Sequence, residues 1–176
     1  MTTWVAFLRG VNLGKRQMKM AELKACCESL GFTAVKTIVA SGNVRFETKS
    51  DAKLKQRLEA GLTEYFSFPI KVILRSAAEI ETMVSSAPFA KVDPEADVAL
   101  HVLLFDAPMQ TKPTILPLAG DYEVARMDDD AIFFVLHKKP DGTYLGRSAL
   151  GDALKPLEKA HLVTMRNWNT MLKLLG

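Results

Sequence analysis

Cysteine is nearly absent from this chain: there are two in 176 residues, Cys26 and Cys27, and they are neighbours on one helical stretch. Adjacent helical positions give poor geometry for a disulfide, and the pair lacks the spacing of a metal site. Both thiols are expected to behave as small buried hydrophobes. Long apolar runs are missing too. Stretches such as Val98 to Phe105 fall far short of the roughly 18 residues that a membrane span needs. The opening Met1-Thr2-Thr3-Trp4-Val5 offers no basic region, apolar core or cleavage site of a secretion signal. The chain is therefore expected to be soluble and cytoplasmic, with no membrane partner.

Residues that carry catalysis are also sparse. His101, His137 and His161 share no ligand spacing, and His101 sits inside an apolar run where a satisfied core histidine is expected. Asp128-Asp129-Asp130 could hold a cation, but three carboxylates between strands read better as a solvated turn. No metal or cofactor is expected. Gly146-Arg147-Ser148-Ala149-Leu150 lacks the second glycine of a nucleophile elbow, so acyl transfer is unsupported.

Apolar residues make up 48% of the chain and charged residues 24%, which is enough to fold a packed core. Charge is unevenly spread. Residues 1–76 carry 13 Lys/Arg against 6 Asp/Glu, a balance of +7, while residues 77–176 carry 10 against 14, a balance of −4. A basic first half fits either an anionic partner or a solvated basic surface.

The order of elements is more informative. Val5 to Leu8 reads as a buried strand, and Met20, Leu23, Cys27 and Leu30 recur at helical spacing before Gly31. Val35 to Val39 and Val44 to Thr48 flank Ser41-Gly42-Asn43 as a hairpin. A helix capped by Ser50 or Asp51 carries Leu54, Leu58, Leu62, Tyr65 and Phe66, and Ile70 to Leu74 closes a βαββαβ unit. Ser76-Ala77-Ala78-Glu79 has the form of a capping box for one more short helix.

A second round follows. Val98 to Phe105 is strand-like, Met109 to Leu118 is a proline-interrupted helix, and Tyr122 to Met127 pairs with Ile132 to His137. Leu150, Leu154 and Leu157 mark a helix, Leu162 to Met165 a last strand, and Trp168 to Leu175 a last helix. The fold class is α+β: two ferredoxin-like βαββαβ halves, antiparallel sheets with helices on one face, related by a pseudo-duplication. The halves are expected at residues 1–87 and 97–176, with a connector at 88–96.

Arg9-Gly10-Val11-Asn12-Leu13-Gly14-Lys15-Arg16 joins the first strand to the first helix. Gly10 and Gly14 allow close backbone approach, amides near a helix N-terminus attract anions, and Arg9, Lys15 and Arg16 add positive charge. It is not a phosphate-binding P-loop: its glycines enclose three residues where that motif has four, and Arg16 stands where a hydroxyl should meet magnesium. Ser41 and Asn43 assist a ligand or simply form the turn. Near the end, Asn167 suits the cap of the last helix, and Arg166 either clamps an anion or makes a structural ion pair.

Taken together, Leu8-Arg9-Gly10-Val11-Asn12-Leu13-Gly14, Met20-Ala21-Glu22-Leu23, Ser41-Gly42-Asn43-Val44 and Thr164-Met165-Arg166-Asn167-Trp168-Asn169-Thr170 resemble the bacterial family labelled domain of unknown function 1697 (DUF1697). The resemblance spans nearly the whole chain. It implies a ferredoxin-like architecture in bacterial cytosol and brings no activity with it.

Three functions fit these readings. The first is binding of a phosphate-bearing or other anionic ligand, nucleotide or nucleic acid, through Arg9, Gly10, Asn12, Gly14, Lys15 and Arg16, with Ser41, Asn43, Arg166 and Asn167 as further candidates. The second is an enzyme acting on a small anionic substrate in a cleft between the halves, although no residue has an evident general-base role. The third is a module that pairs with another copy of itself. An RNA-binding sheet is disfavoured, because Val44 to Thr48 offers a single aromatic, Phe46.

Overall fold

The structure, a computed structural model, describes residues 1–11, 17–38, 42–144 and 149–176. Its elements run β1 (Thr2–Arg9), α1 (Met20–Ser29), β2 (Thr33–Thr37), β3 (Asn43–Thr48), α2 (Leu54–Phe66), β4 (Lys71–Ser76), α3 (Ala77–Ser85), β5 (Val98–Phe105), β6 (Tyr122–Met127), β7 (Ala131–His137), α4 (Ala149–Ala160), β8 (Val163–Asn167) and α5 (Trp168–Lys173). They form two compact units, Met1–Thr82 with Leu172–Gly176, and Met83–Met171. None of the described helices is long and apolar enough to cross a membrane.

Each unit holds one four-stranded antiparallel sheet, ordered β2-β3-β1-β4 in the first and β6-β7-β5-β8 in the second. The two orders trace the same path through space. That shared path is what a duplicated ferredoxin-like half requires, because right-handed crossovers put the first and third strands in the middle.

In the first unit the period-2 alternation of strands and the helical stripes meet in one layer. Ala6, Leu8, Val44, Phe46 and Val72 face Leu23, Cys26, Cys27, Leu54, Leu58 and Leu62 in a single buried cluster. Phe46 stacks on Phe32 with centroids 4.4 Å apart. The opposite face of the sheet is buried as well, at Val5, Phe7 and Ile73. Gly31 adopts φ +81° just past α1, as a helix-ending glycine should. Asp51 does not cap α2 itself. Its carboxylate accepts from Lys53 N at 2.8 Å, a local turn after which the N-cap falls on Lys53, two residues beyond Asp51, and the helix begins with the apolar stripe at Leu54.

The capping box at Ser76 forms as written. Glu79 Oε2 accepts from Ser76 N at 2.7 Å, and Ser76 Oγ accepts from Glu79 N at 3.2 Å.

In the second unit Leu103, Phe105, Ile132, Phe134 and Leu136 pack on Leu150, Leu154 and Leu157 of α4. That stripe carries the helix through Pro156. The expected helix from Met109 to Leu118 is absent, and the segment is irregular. Pro108, Pro113 and Pro117 each fix φ and remove an amide donor. Met109 N donates instead to Asp129 O at 2.7 Å, and Leu118 makes an isolated bridge with Tyr122. Met109 and Ile115 still reach the core, and the segment stands in chain order between the unit's first and second strands, where α1 stands in the first unit. The outer strands β2 and β6 each shift register once, between Thr33 and Lys36 and between Val124 and Arg126.

Candidate functional site

At the end of β1 the backbone leaves the sheet through Arg9 and Gly10, and Gly10 takes φ +79°, a conformation open to glycine at little cost. Val11 then packs against the β2–β3 turn. A Cβ added to Gly42, which has φ +75°, would lie 2.7 Å from Val11 Cγ2 and 3.2 Å from Leu8 Cβ. Leu8 N donates to Gly42 O at 2.8 Å. Two segments far apart in the chain are thereby pressed together, and a glycine is the only residue that fits between them.

Asn43 belongs to the same turn but serves structure. It is fully buried, its amide Nδ2 donates to Ile38 O at 3.0 Å, and Ile38 N donates to Asn43 O at 2.9 Å. It closes the turn. Arg9 is half-buried at the mouth of this corner, with Lys71 directly opposite it on β4. The Lys71 ammonium is already engaged at 3.1 Å by Glu59, whose other oxygen accepts from Val72 N. Where the chain re-enters helix, Lys19 at the N-cap of α1 makes no side-chain cap, so among the described residues no side chain occupies that position's capping role. Asn12, Gly14, Lys15, Arg16 and Ser41 lie outside the described residues.

Arg166 and Asn167 belong to the second unit. Arg166 is buried, and its Nη1 donates to Thr164 Oγ1 at 2.7 Å and to Met165 O at 2.9 Å. Burial pulls its pKa from 12.5 down to about 10, which leaves it cationic at neutral pH. Asn167 is exposed and caps: its Oδ1 accepts from Asn169 N at 2.8 Å. Trp168 fills core, in edge-on contact with Phe89 and Phe133.

Asp128-Asp129-Asp130 is engaged by basic side chains. Asp128 pairs with Arg126 at 2.7 Å and Asp129 with Lys112 at 3.0 Å. Among the described residues no group of three or more His, Cys, Asp or Glu side chains is placed to hold a metal ion. The cysteines are buried, and desolvation pushes the Cys27 thiol up to about 12, with Cys26 and Glu28 adding to it. A thiol held so high is no nucleophile.

One concavity was not legible in the sequence. A cleft of about 560 Å³ in the second unit is lined by Pro88, Lys91, Asp93, Glu123, Arg126 and His137 among others. Arg126 is anchored there by Ser86 O at 3.1 Å and Ser86 Oγ at 2.7 Å, and lies 4.7 Å over the Phe133 ring. His137 Nε2 stands 3.6 Å from Glu123 Oε1. These groups come from the connector and from two strands, and no local motif announces them.

Comparison with known proteins matches residues 1–133 to a family model described as "Protein of unknown function (DUF1697)". No curated protein matches. A solved structure of a conserved bacterial protein from Streptococcus pneumoniae superposes with a TM-score of 0.75 at 21% identity, covering 99% of this chain and 96% of that one. At that identity the likeness is one of fold.

Proposed function

The chain belongs to the DUF1697 family, whose description assigns no activity, and from that premise we propose that it binds a phosphate-bearing or other anionic ligand where β1 turns towards α1. The observation that carries the reading is the contact of Val11 with Gly42, which seats the Arg9-Gly10 corner against the β2–β3 turn. A positive-φ glycine lets a ligand approach backbone amides, and a helix N-terminus without a side-chain cap adds partial positive charge. In the sequence, Lys15 and Arg16 follow in the same loop and supply further cations.

A nucleotide or another small anion fits better than single-stranded nucleic acid. Phe46, the sole aromatic of β3, is fully buried and stacked on Phe32, so it has no face to offer a base. Titration with adenosine triphosphate and with a short single-stranded oligonucleotide, each at several salt concentrations, tests this. A small anion gives a shallow salt dependence, whereas each phosphate of a strand adds roughly 0.7 to the slope. Arg9→Ala should weaken binding. Absence of binding by either ligand at low salt overturns the reading.

A further inference from the structure

A basic concavity lies in the first unit, with neither Arg9 nor Gly10 in its lining and built from residues that no motif connects. Lys24 of α1, Lys36 of β2, Arg45 of β3 and Lys173 of α5 line a pocket of about 440 Å³, together with Thr37 and Gly176. Among the described residues no side chain of its lining carries a carboxylate or an aromatic ring, and the one acidic group there is the main-chain carboxyl of Gly176.

The arrangement runs against sheet stability. Lys36 stands directly opposite Arg45 in the β2–β3 ladder, and like charges in that position repel. Arg45 is held in place, since its Nη1 donates to Leu174 O at 3.2 Å. Lys24 has one neighbour of opposite sign, Glu28 at 3.7 Å, on a helix face where both side chains are half exposed, so that pair is weak and screened. Lys36 and Lys173 have no carboxylate at ion-pair distance among the described residues. Four basic side chains therefore share one hollow with two counter-charges, Glu28 beside Lys24 and the main-chain carboxyl of Gly176, which leaves positive charge in excess. An anion entering it relieves the repulsion that the fold maintains.

We propose that this pocket binds a small molecule bearing a chain of phosphates, and that it grips the phosphates rather than any base or ring. The volume falls within the roughly 300–1,000 Å³ of small-ligand sites. The cations come from four elements around a hollow instead of lying in a stripe along one, which suits a compact polyanion. With no ring in the lining to stack on, a nucleobase gains nothing there. This goes beyond the loop site, because Arg9 and Gly10 do not line the pocket.

Calorimetric titration of the full chain with inorganic tripolyphosphate at low ionic strength tests the proposal. Tripolyphosphate should bind, adenosine triphosphate should bind with similar affinity, and orthophosphate should bind much more weakly. Lys36→Gln and Lys173→Gln alter exposed side chains, and each should weaken tripolyphosphate binding roughly fivefold. Lys36→Gln should also raise the thermal midpoint of the free protein at low salt, a gain that a merely structural lysine would not give. In an Arg9→Ala background, which removes the contribution of the loop site, tripolyphosphate should still bind and Lys36→Gln should still weaken that binding. The proposal is overturned if tripolyphosphate does not bind, if the Lys36→Gln/Lys173→Gln double variant binds it like the parent, or if Arg9→Ala alone abolishes binding.

Discussion

Arg75 and Arg166 hold the same place in the two sheets: each is the penultimate residue of its fourth strand, each is buried, and each stands opposite a valine of a central strand, Val5 and Val102. Each guanidinium also donates to the carbonyl of the residue just before it, Leu74 in one unit and Met165 in the other. The residue that follows each arginine caps the next helix. A buried cation is costly to keep without donors satisfied, so the recurrence of the same local solution supports a duplication that the sequence retains only faintly.

Removal of those caps should destabilise the protein. Ser76→Ala deletes the bond that Oγ accepts from Glu79 N and the one that it donates to Glu79 Oε2, leaves the backbone Ser76 N–H bond to Glu79 in place, and should cost about 1 kcal/mol, with Asn167→Ala costing a similar or smaller amount. Urea denaturation curves with unchanged slope and lower midpoints would show this. Unaltered midpoints would mean that the helix entries are held by packing alone.

Gly42→Ala should be among the more damaging small substitutions. The new methyl meets Val11 Cγ2 at 2.7 Å and must sit on a backbone at φ +75°, for a combined cost of about 2–3 kcal/mol. Adding Val11→Ala removes the nearest clashing atom but leaves the backbone strain, so the double variant should recover part of the loss. Full recovery, or none, would contradict the geometry described at this turn.

Much of the architecture could be read from local rules. The Ser76 capping box, the boundaries of β5 and β6, the glycine after α1 and the Asn167 cap all follow from chemistry confined to a few neighbouring residues. What escaped depends on longer range. The Met109–Leu118 stretch has apolar residues enough for a helix, but three prolines and a tertiary bond from Met109 to Asp129 decide otherwise. The pocket around Lys36 and Arg45 was not foreseeable, because its cations come from four elements and only the sheet register and the chain's return bring them together. Nor could Phe46 be assigned to a face until Phe32 was found stacked against it.

His101 makes stability depend on pH. The ring is buried, Nδ1 has no hydrogen-bond partner among the described residues, and desolvation holds its pKa below the ordinary 6.5 against a smaller opposing pull from the Ala99 backbone. The unfolded chain therefore takes up a proton before the folded one does. Stability should be level above the unfolded value, fall as pH drops below about 6.5, and level off again beneath the folded pKa. His101→Leu should flatten that segment of the curve, as followed by denaturation at several pH values. A slope unchanged in the variant would assign the dependence to other groups.

The two thiols should be silent towards modification. With Cys26 and Cys27 both buried and the Cys27 pKa pushed up to about 12, neither presents thiolate to a reagent near pH 8. Ellman's reagent should register almost nothing with the native protein and two equivalents after unfolding in guanidinium. Rapid reaction of either cysteine in the native state would show that the α1 face opens readily.

The single slips in register along β2 and β6 also bear on how the molecule behaves at high concentration. An incoming strand from another chain needs an even row of donors and acceptors to zip onto, and a bulged margin presents that row only in short, misaligned pieces. These two margins are thus poor seeds for fibril growth, a safeguard laid down twice by the same architectural repeat.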